Sequence, residues 1–194
     1  YPHANVKIGA THGGITVGED GATHQCLEDF ALMRTVPGMT VICPADAQEA
    51  RLAVKAAYEM EGPVYLRFGR MAVPVLFDEN YKFEIGKGVK LAEGTDVALV
   101  ATGIEVEQAL LARDILAEEG ISASVINICT IKPLDEDLIV SEAEKCGCIV
   151  TCEEHTVIGG LGAAVCECLA EKCPTPVLRV GINDEFGRSG PAKE

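Results

Sequence analysis

The stretch Asp96–Ile128, DVALVATGIEVEQALLARDILAEEGISASVINI, decides the fold. Asp96–Ala101 is a continuous apolar run, the kind covered on both faces in a parallel sheet. Thr102-Gly103 turns the chain, Val106–Glu118 reads as a helix ending near Gly120, and Ala123–Ile128 returns as a strand. The alternation continues with a helix at Asp135–Glu144, a strand at Cys148–Cys152, a helix at Gly162–Glu171 and a last strand at Pro176–Val180. Such spacing predicts right-handed strand–helix–strand units in an open parallel sheet.

The pattern extends upstream. Val6–Ala10 reads as a strand, Gly13–Gly21 as a glycine-rich loop, and His24 to about Val36 as a helix stopped by Pro37-Gly38. Thr40–Cys43 is a short strand. Asp46 then caps a helix, with Glu49 three residues on in a capping-box pattern, and Ala50, Leu52, Ala53, Ala56 and Ala57 suit its buried face. Pro63–Phe68 is another strand. Met71–Phe83, with Pro74, Asp78, Glu79 and Asn80, lacks helical periodicity and reads as a linker. The class is therefore α/β in two units: residues 1–72, a linker at 73–85, and residues 86–194. Ligands of open α/β sheets sit at the carboxyl ends of strands. The loops after Ala10, Cys43, Phe68, Ala101, Ile128 and Cys152 are thus the candidates for function.

A formal charge of −14 repels phosphate backbones and anionic lipid, so neither nucleic acid nor a membrane surface is an expected partner. No apolar run reaches the roughly 18 residues of a membrane span. The start, Tyr-Pro-His-Ala-Asn-Val, lacks the basic and apolar regions of a secretory signal. Nine cysteines, an odd number, fit free thiols in a reducing cytoplasm. Cys146, Cys148 and Cys152 fall in or beside a strand and Cys166 and Cys168 in a helix; without zinc spacing, packing is favoured over a metal site.

The loop after the first strand concentrates the chemistry. Thr11, His12, Glu19, Asp20, Thr23 and His24 interleave with Gly13, Gly14, Gly18 and Gly21. Imidazoles can donate to a phosphate or carbonyl oxygen or move a proton, and a carboxylate can hold a sugar hydroxyl. The residue types alone leave a polyol-phosphate site and a plain surface loop equally open.

Thr11-His12, Gly18-Glu19-Asp20-Gly21 and Thr23-His24-Gln25 together resemble the loop of the transketolase pyrimidine-binding domain. The resemblance continues through Leu32-Met33-Arg34, Pro44-Ala45-Asp46 and Gly69-Arg70. The second unit resembles the transketolase C-terminal domain at Val100–Gly103, Ile131–Asp135, Glu153-Glu154-His155, Gly159–Gly162 and Phe186–Gly190. It implies a partial thiamine-diphosphate pyrimidine-binding domain with a parallel sheet, followed by a three-layer α/β domain.

Carried over by position, the resemblance makes His12 and His24 catalytic. His12 would contact the substrate phosphate, Asp20 a sugar hydroxyl, and Arg70 the phosphate through its guanidinium fork, with Arg67 as second choice. His24 would lie near the reacting carbonyl and the cofactor's aminopyrimidine. Gly13-Gly14 replaces the aspartate and serine of many transketolases and is similar to the shorter, two-chain kind. The implied cofactor is thiamine diphosphate with Mg2+, bound mainly by parts outside this chain, because the activating glutamate and pyrimidine-clamping aromatics of the family lie upstream; this chain carries no expected metal ligand. Both ends are expected to be cut relative to a whole subunit.

The expected activity is transfer of a two-carbon ketol unit between a ketose phosphate and an aldose phosphate, absent from the isolated chain. The expected partners are an N-terminal section or subunit and a second copy, in a homodimer through both domains. Two alternatives stand beside it. A 1-deoxyxylulose-5-phosphate synthase shares Asp20–Gln25 and Lys132–Asp135, while Thr11-His12 and Glu19 favour transketolase. The second unit alone would be a dimerisation module. Gly159–Gly162 lacks dinucleotide spacing and reads as a tight packing turn, and His155 beside two glutamates as a structural or dimer-interface residue.

Overall fold

The computed structural model describes residues 4–192; the first three residues of the N-terminal stretch read above, and the last two of the chain, lie outside it. Two sheets are built. The first contains β1 (Lys7–Ala10), β2 (Thr40–Ile42) and β3 (Val64–Arg67), with α1 (Asp29–Thr35) and α2 (Ala47–Glu59) between strands. The second contains β4 (Val89–Ala92), β5 (Val97–Ala101), β6 (Ala123–Asn127), β8 (Ile149–Thr156) and β9 (Val177–Ile182), joined through α3 (Glu105–Glu118), α4 (Glu136–Cys146) and α5 (Leu161–Lys172). A short β7 (Thr130–Lys132) lies between β6 and α4 in sequence.

The strand orders are β1-β3-β2-β7 and β4-β6-β5-β8-β9. Every pairing expected to be parallel is parallel, but each sheet gains an antiparallel edge: β7 on β2 and β4 on β6. Both sheets are therefore parallel, as expected, apart from one antiparallel edge strand each. β7 comes from the second stretch of sequence yet completes the first sheet, so the two units share a strand.

Core packing makes the second unit three-layered. Ala98, Val100, Ile126, Ile128 and Ile149 face α4 and α5, while Leu99, Ala101, Ala123 and Val125 face α3. This is the period-2 alternation of strands buried on both faces. α5 packs on two sides: Leu161, Val165 and Leu169 enter the second core, and Ala164 packs with Phe30, Val41 and Tyr65 of the first.

α1 starts at Asp29, five residues later than the periodicity predicts. The reason is tertiary. The amides of His24 and Gln25 both bond to Gly21 O in a turn, Cys26 O accepts from Gly14 N at 2.9 Å, and Leu27 O accepts from Thr156 N at 2.9 Å. Those carbonyls are committed to other segments and cannot close helical turns.

The irregular stretch 71–83 is tied down. Asp46 caps α2 by accepting from Glu49 N at 2.7 Å, and its other oxygen accepts from the amides of Leu76 and Phe77 at 2.7 and 2.9 Å. Glu49, wholly buried, accepts from Ala45 N, from the Tyr81 hydroxyl at 2.7 Å and from Asn127 Nδ2 at 2.8 Å. One carboxylate thus joins the first unit, the connecting stretch and β6.

Candidate functional site

The glycine-rich segment leaves β1 and forms two short 3-10 turns within Ile15–Asp20, kinked at Gly18. The two glycines after His12 have a steric cause. A Cβ at Gly13 would lie 2.1 Å from Arg67 Nε, and one at Gly14 would lie 2.0 Å from Glu154 Cδ. Gly14 also has φ 89° and ψ 178°, a region open in practice to glycine alone. Any larger pair here would collide with two charged side chains.

Those charges form a buried cluster between the units. Arg67 is 3 % exposed; its Nε lies 3.1 Å from Asp29 Oδ2, its Nη2 donates to Cys26 O and Glu154 O, and its guanidinium lies over the Phe30 ring. The Tyr65 hydroxyl donates to Asp29 Oδ2 at 2.8 Å, and burial with that carboxylate raises the phenol's pKa. Arg67, the second choice for phosphate, is therefore already engaged inside the protein. As the last residue of a fully buried strand it points inward, whereas Arg70 follows Gly69 into solvent.

On β8, Glu153 accepts from the amides of Leu161 and Gly162 at 2.7 and 2.8 Å, closing the N-terminus of α5. Burial outweighs those bonds and raises its carboxyl to about 7. Glu154 accepts from Thr16 N at 2.5 Å, holding the glycine-rich loop, and burial raises its pKa too. His155 is wholly buried and stacks on Phe30; its Nδ1 donates to Thr156 O and its Nε2 accepts from Ala31 N. Both partners suit a neutral ring, and burial lowers its pKa. Glu154 and His155 therefore bind the second unit to the first, while Glu153 fixes α5 within its own unit.

The four candidate side chains stand on the outer face. His12, Asp20, His24 and Arg70 are all exposed. Arg70 Nη1 pairs with Asp20 Oδ2 at 2.6 Å and donates to Val17 O at 2.7 Å, so the structure brings these two together. His12 has φ 63°, and its Nδ1 shares a hydrogen bond with Thr11 Oγ1 at 2.9 Å. His24 Nδ1 does the same with Thr23 Oγ1 at 2.9 Å. Each histidine thus keeps Nε2 for a partner beyond its neighbour. Among the described residues no group of three or more His, Cys, Asp or Glu could hold a metal ion.

At the carboxyl ends of β2, β3 and β5 lies a cleft of about 350 Å³ lined by Cys43, Asp46, Arg67, Thr102 and Glu154 among others. Within it Thr102 Oγ1 donates to Cys43 O, and burial pushes the Cys43 thiol up to about 12. All nine cysteines are free thiols. Cys168 is buried in the second core and Cys43 in the first. No described helix is long and apolar enough to cross a membrane.

Gln25 closes the motif, yet its residue type alone assigns it no role. It is 7 % exposed between two exposed neighbours, His24 and Cys26. A buried amide inside an otherwise exposed polar run is a signal only burial reveals.

Fold and loop together define a two-sheet α/β chain whose glycine-rich loop presents histidines beside an arginine–aspartate pair. Residues 2–75 match the transketolase pyrimidine-binding domain and residues 86–194 the transketolase C-terminal domain. The chain belongs to the transketolase family. A 6-deoxy-6-sulfo-D-fructose transketolase subunit of Clostridium sp. (strain MSTE9) is 46 % identical over 98 % of this chain and 59 % of its own length. A 1-deoxy-D-xylulose-5-phosphate synthase of Geobacter sulfurreducens is 46 % identical over 96 % of this chain and 30 % of its own length. A solved structure described as a split gene transketolase, inactive beta4 tetramer, superposes with a TM-score of 0.93 at 51 % identity, covering 100 % of this chain and 62 % of that one. The chain thus spans roughly three-fifths of the length of the transketolase subunits it matches.

Proposed function

We propose that this chain is the C-terminal part of a split transketolase, transferring a two-carbon ketol unit between sugar phosphates, and that it is inactive alone. The observation that carries this reading is the exposure of His12, Asp20, His24 and Arg70 on one loop system. A small-molecule site buries most of its ligand, so an open face of this kind is half a site and needs a second surface. The inactive tetramer of the split relative supports the same division of labour. The unit boundaries proposed are residues 1–72 and 86–194.

Thiamine diphosphate, when bound, supplies the carbanion-stabilising chemistry. This chain fits that group on the substrate side only, by two histidines with open Nε2 atoms. The diphosphate and a Mg2+ ion fall to the completing polypeptide. His12 and Arg70 would hold the phosphate, Asp20 a hydroxyl, and His24 would stabilise or relay a proton at the reacting carbonyl. Arg70 would exchange part of its pairing with Asp20 for phosphate oxygens, which its guanidinium can hold by two charge-assisted bonds.

Turnover of ribose 5-phosphate plus xylulose 5-phosphate, with and without the N-terminal section, tests the reading. Activity is expected only with both; strong turnover by this chain alone overturns the divided site. The similarity to 1-deoxy-D-xylulose-5-phosphate synthases favours one second reading. Assaying pyruvate plus glyceraldehyde 3-phosphate with the complete enzyme separates the two.

A further inference from the structure

The segment after β9, residues 183–192, folds back onto the glycine-rich loop. Gln25 is the buried point of contact. Its Nε2 donates to Ile15 O at 3.0 Å and to Arg188 O at 3.0 Å, with Gly18 O at 3.4 Å as a third, longer acceptor. Its Oε1 is buried without a partner and sits 1.9 Å from where a Cβ on Gly187 would be. The orientation is dictated: a flipped amide would aim its oxygen at three carbonyl oxygens. Ser189 Oγ donates to Glu19 O, a second tie beside the first, and the Ser189 Cβ packs against Gly21. The distant segment thus ties directly to Glu19 and to Gln25, and Gln25 in turn holds Ile15 and Gly18; the two direct ties span more than 160 residues of sequence.

We propose that Gln25 is a positioning residue and that Gly187–Ser189 form a brace which together fix the loop bearing His12, Asp20 and His24 in its working geometry. The second unit then serves the site itself, and is more than an association module. The logic is that of pre-organisation. The ties fix backbone atoms on either side of Asp20 and beside His24, so loosening them lets these groups drift relative to His12 and Arg70. A misplacement of about 1 Å costs on the order of 100-fold in rate. The catalytic half of this inference rests on the transketolase reading, while the bracing half does not.

Two measurements on the complete enzyme test it. The first is hydrogen exchange of the amides of residues 15–21 in Gln25→Leu and in Ser189→Ala, with Ser189→Thr as the variant that keeps the hydroxyl. Exchange is expected to rise at least several-fold in the first two and to return in the third, while α4 and α5 stay protected. The second is steady-state kinetics with thiamine diphosphate affinity measured in parallel. The expectation is a loss of kcat/KM of roughly 100-fold for Gln25→Leu and several-fold for Ser189→Ala, restored by Ser189→Thr, with cofactor affinity unchanged. Unchanged exchange in both variants overturns the brace whatever the turnover. Raised exchange with unchanged kcat/KM overturns the positioning role. If the wild-type enzyme turns over none of these sugars, the transketolase reading falls and the exchange result still decides the brace.

Discussion

Gly14→Ala isolates the steric cause of the double glycine. Gly14 adopts φ 89° and ψ 178°, and a Cβ there would lie 2.0 Å from Cδ of Glu154. Holding a non-glycine residue in that region costs roughly 1–3 kcal/mol. Forcing the buried carboxylate aside is an overpacking cost of roughly 1–3 kcal/mol more, since Glu154 must leave the Thr16 amide it accepts from. The sum, roughly 2–6 kcal/mol, is comparable to the whole stability of a small domain. Urea unfolding followed by circular dichroism measures it. The steric share is separable in a double-mutant cycle. In a Glu154→Ala background the clash is gone and only the backbone share remains, so the cycle should show a favourable coupling of about 1–3 kcal/mol. A loss below about 1 kcal/mol for Gly14→Ala, or strictly additive penalties, would refute the argument.

Glu153 makes stability depend on pH. Its carboxyl is raised to about 7 in the folded chain against about 4.3 unfolded, so the folded state binds the proton more tightly. Its contribution is full below about pH 4.3 and is lost as pH rises through 7, about 4 kcal/mol in all. The stability difference between wild type and Glu153→Gln should therefore fall by roughly 2.5 kcal/mol between pH 5 and 8, and a constant difference would count against it. Arg70→Ala breaks an exposed ion pair and should cost under about 1 kcal/mol of stability. The same change should raise KM for phosphorylated sugars by roughly 10- to 100-fold; an equal effect on unphosphorylated analogues would rule out phosphate binding. Tyr81→Phe removes a hydroxyl from buried Glu49 and should cost roughly 1.5–3 kcal/mol in the same unfolding assay, with no change expected if residues 71–83 were a loose tether.

The alternating pattern was legible because it is local. Val97–Ala101 and Ala123–Asn127 announce buried strands by composition, and Asp46 with Glu49 announces a helix start by spacing. β4 and β7 were not, because four residues and three residues carry too little periodicity, and their place is set by an edge needing a partner. The start of α1 was misplaced because Cys26 and Leu27 spend their carbonyls on Gly14 and Thr156.

The site divides along the same line. The sequence motif locates the loop, yet its shape depends on groups that the motif does not contain. Arg67 and Arg70 are three positions apart, and residue type alone gives both a claim on phosphate. One is the last residue of a four-residue strand whose every position is buried, the other follows a glycine into solvent. That distinction turns on where β3 ends, the least legible quantity in a sequence. Gln25 makes the point more sharply, since its partners Ile15 and Arg188 stand on opposite sides of it at separations of 10 and 163 residues. No local pattern encodes such a tie. It also changes what a chain-end substitution means: Ser189→Ala touches an exposed residue far from the loop in sequence, yet it releases Glu19 O, next to the aspartate that pairs with Arg70.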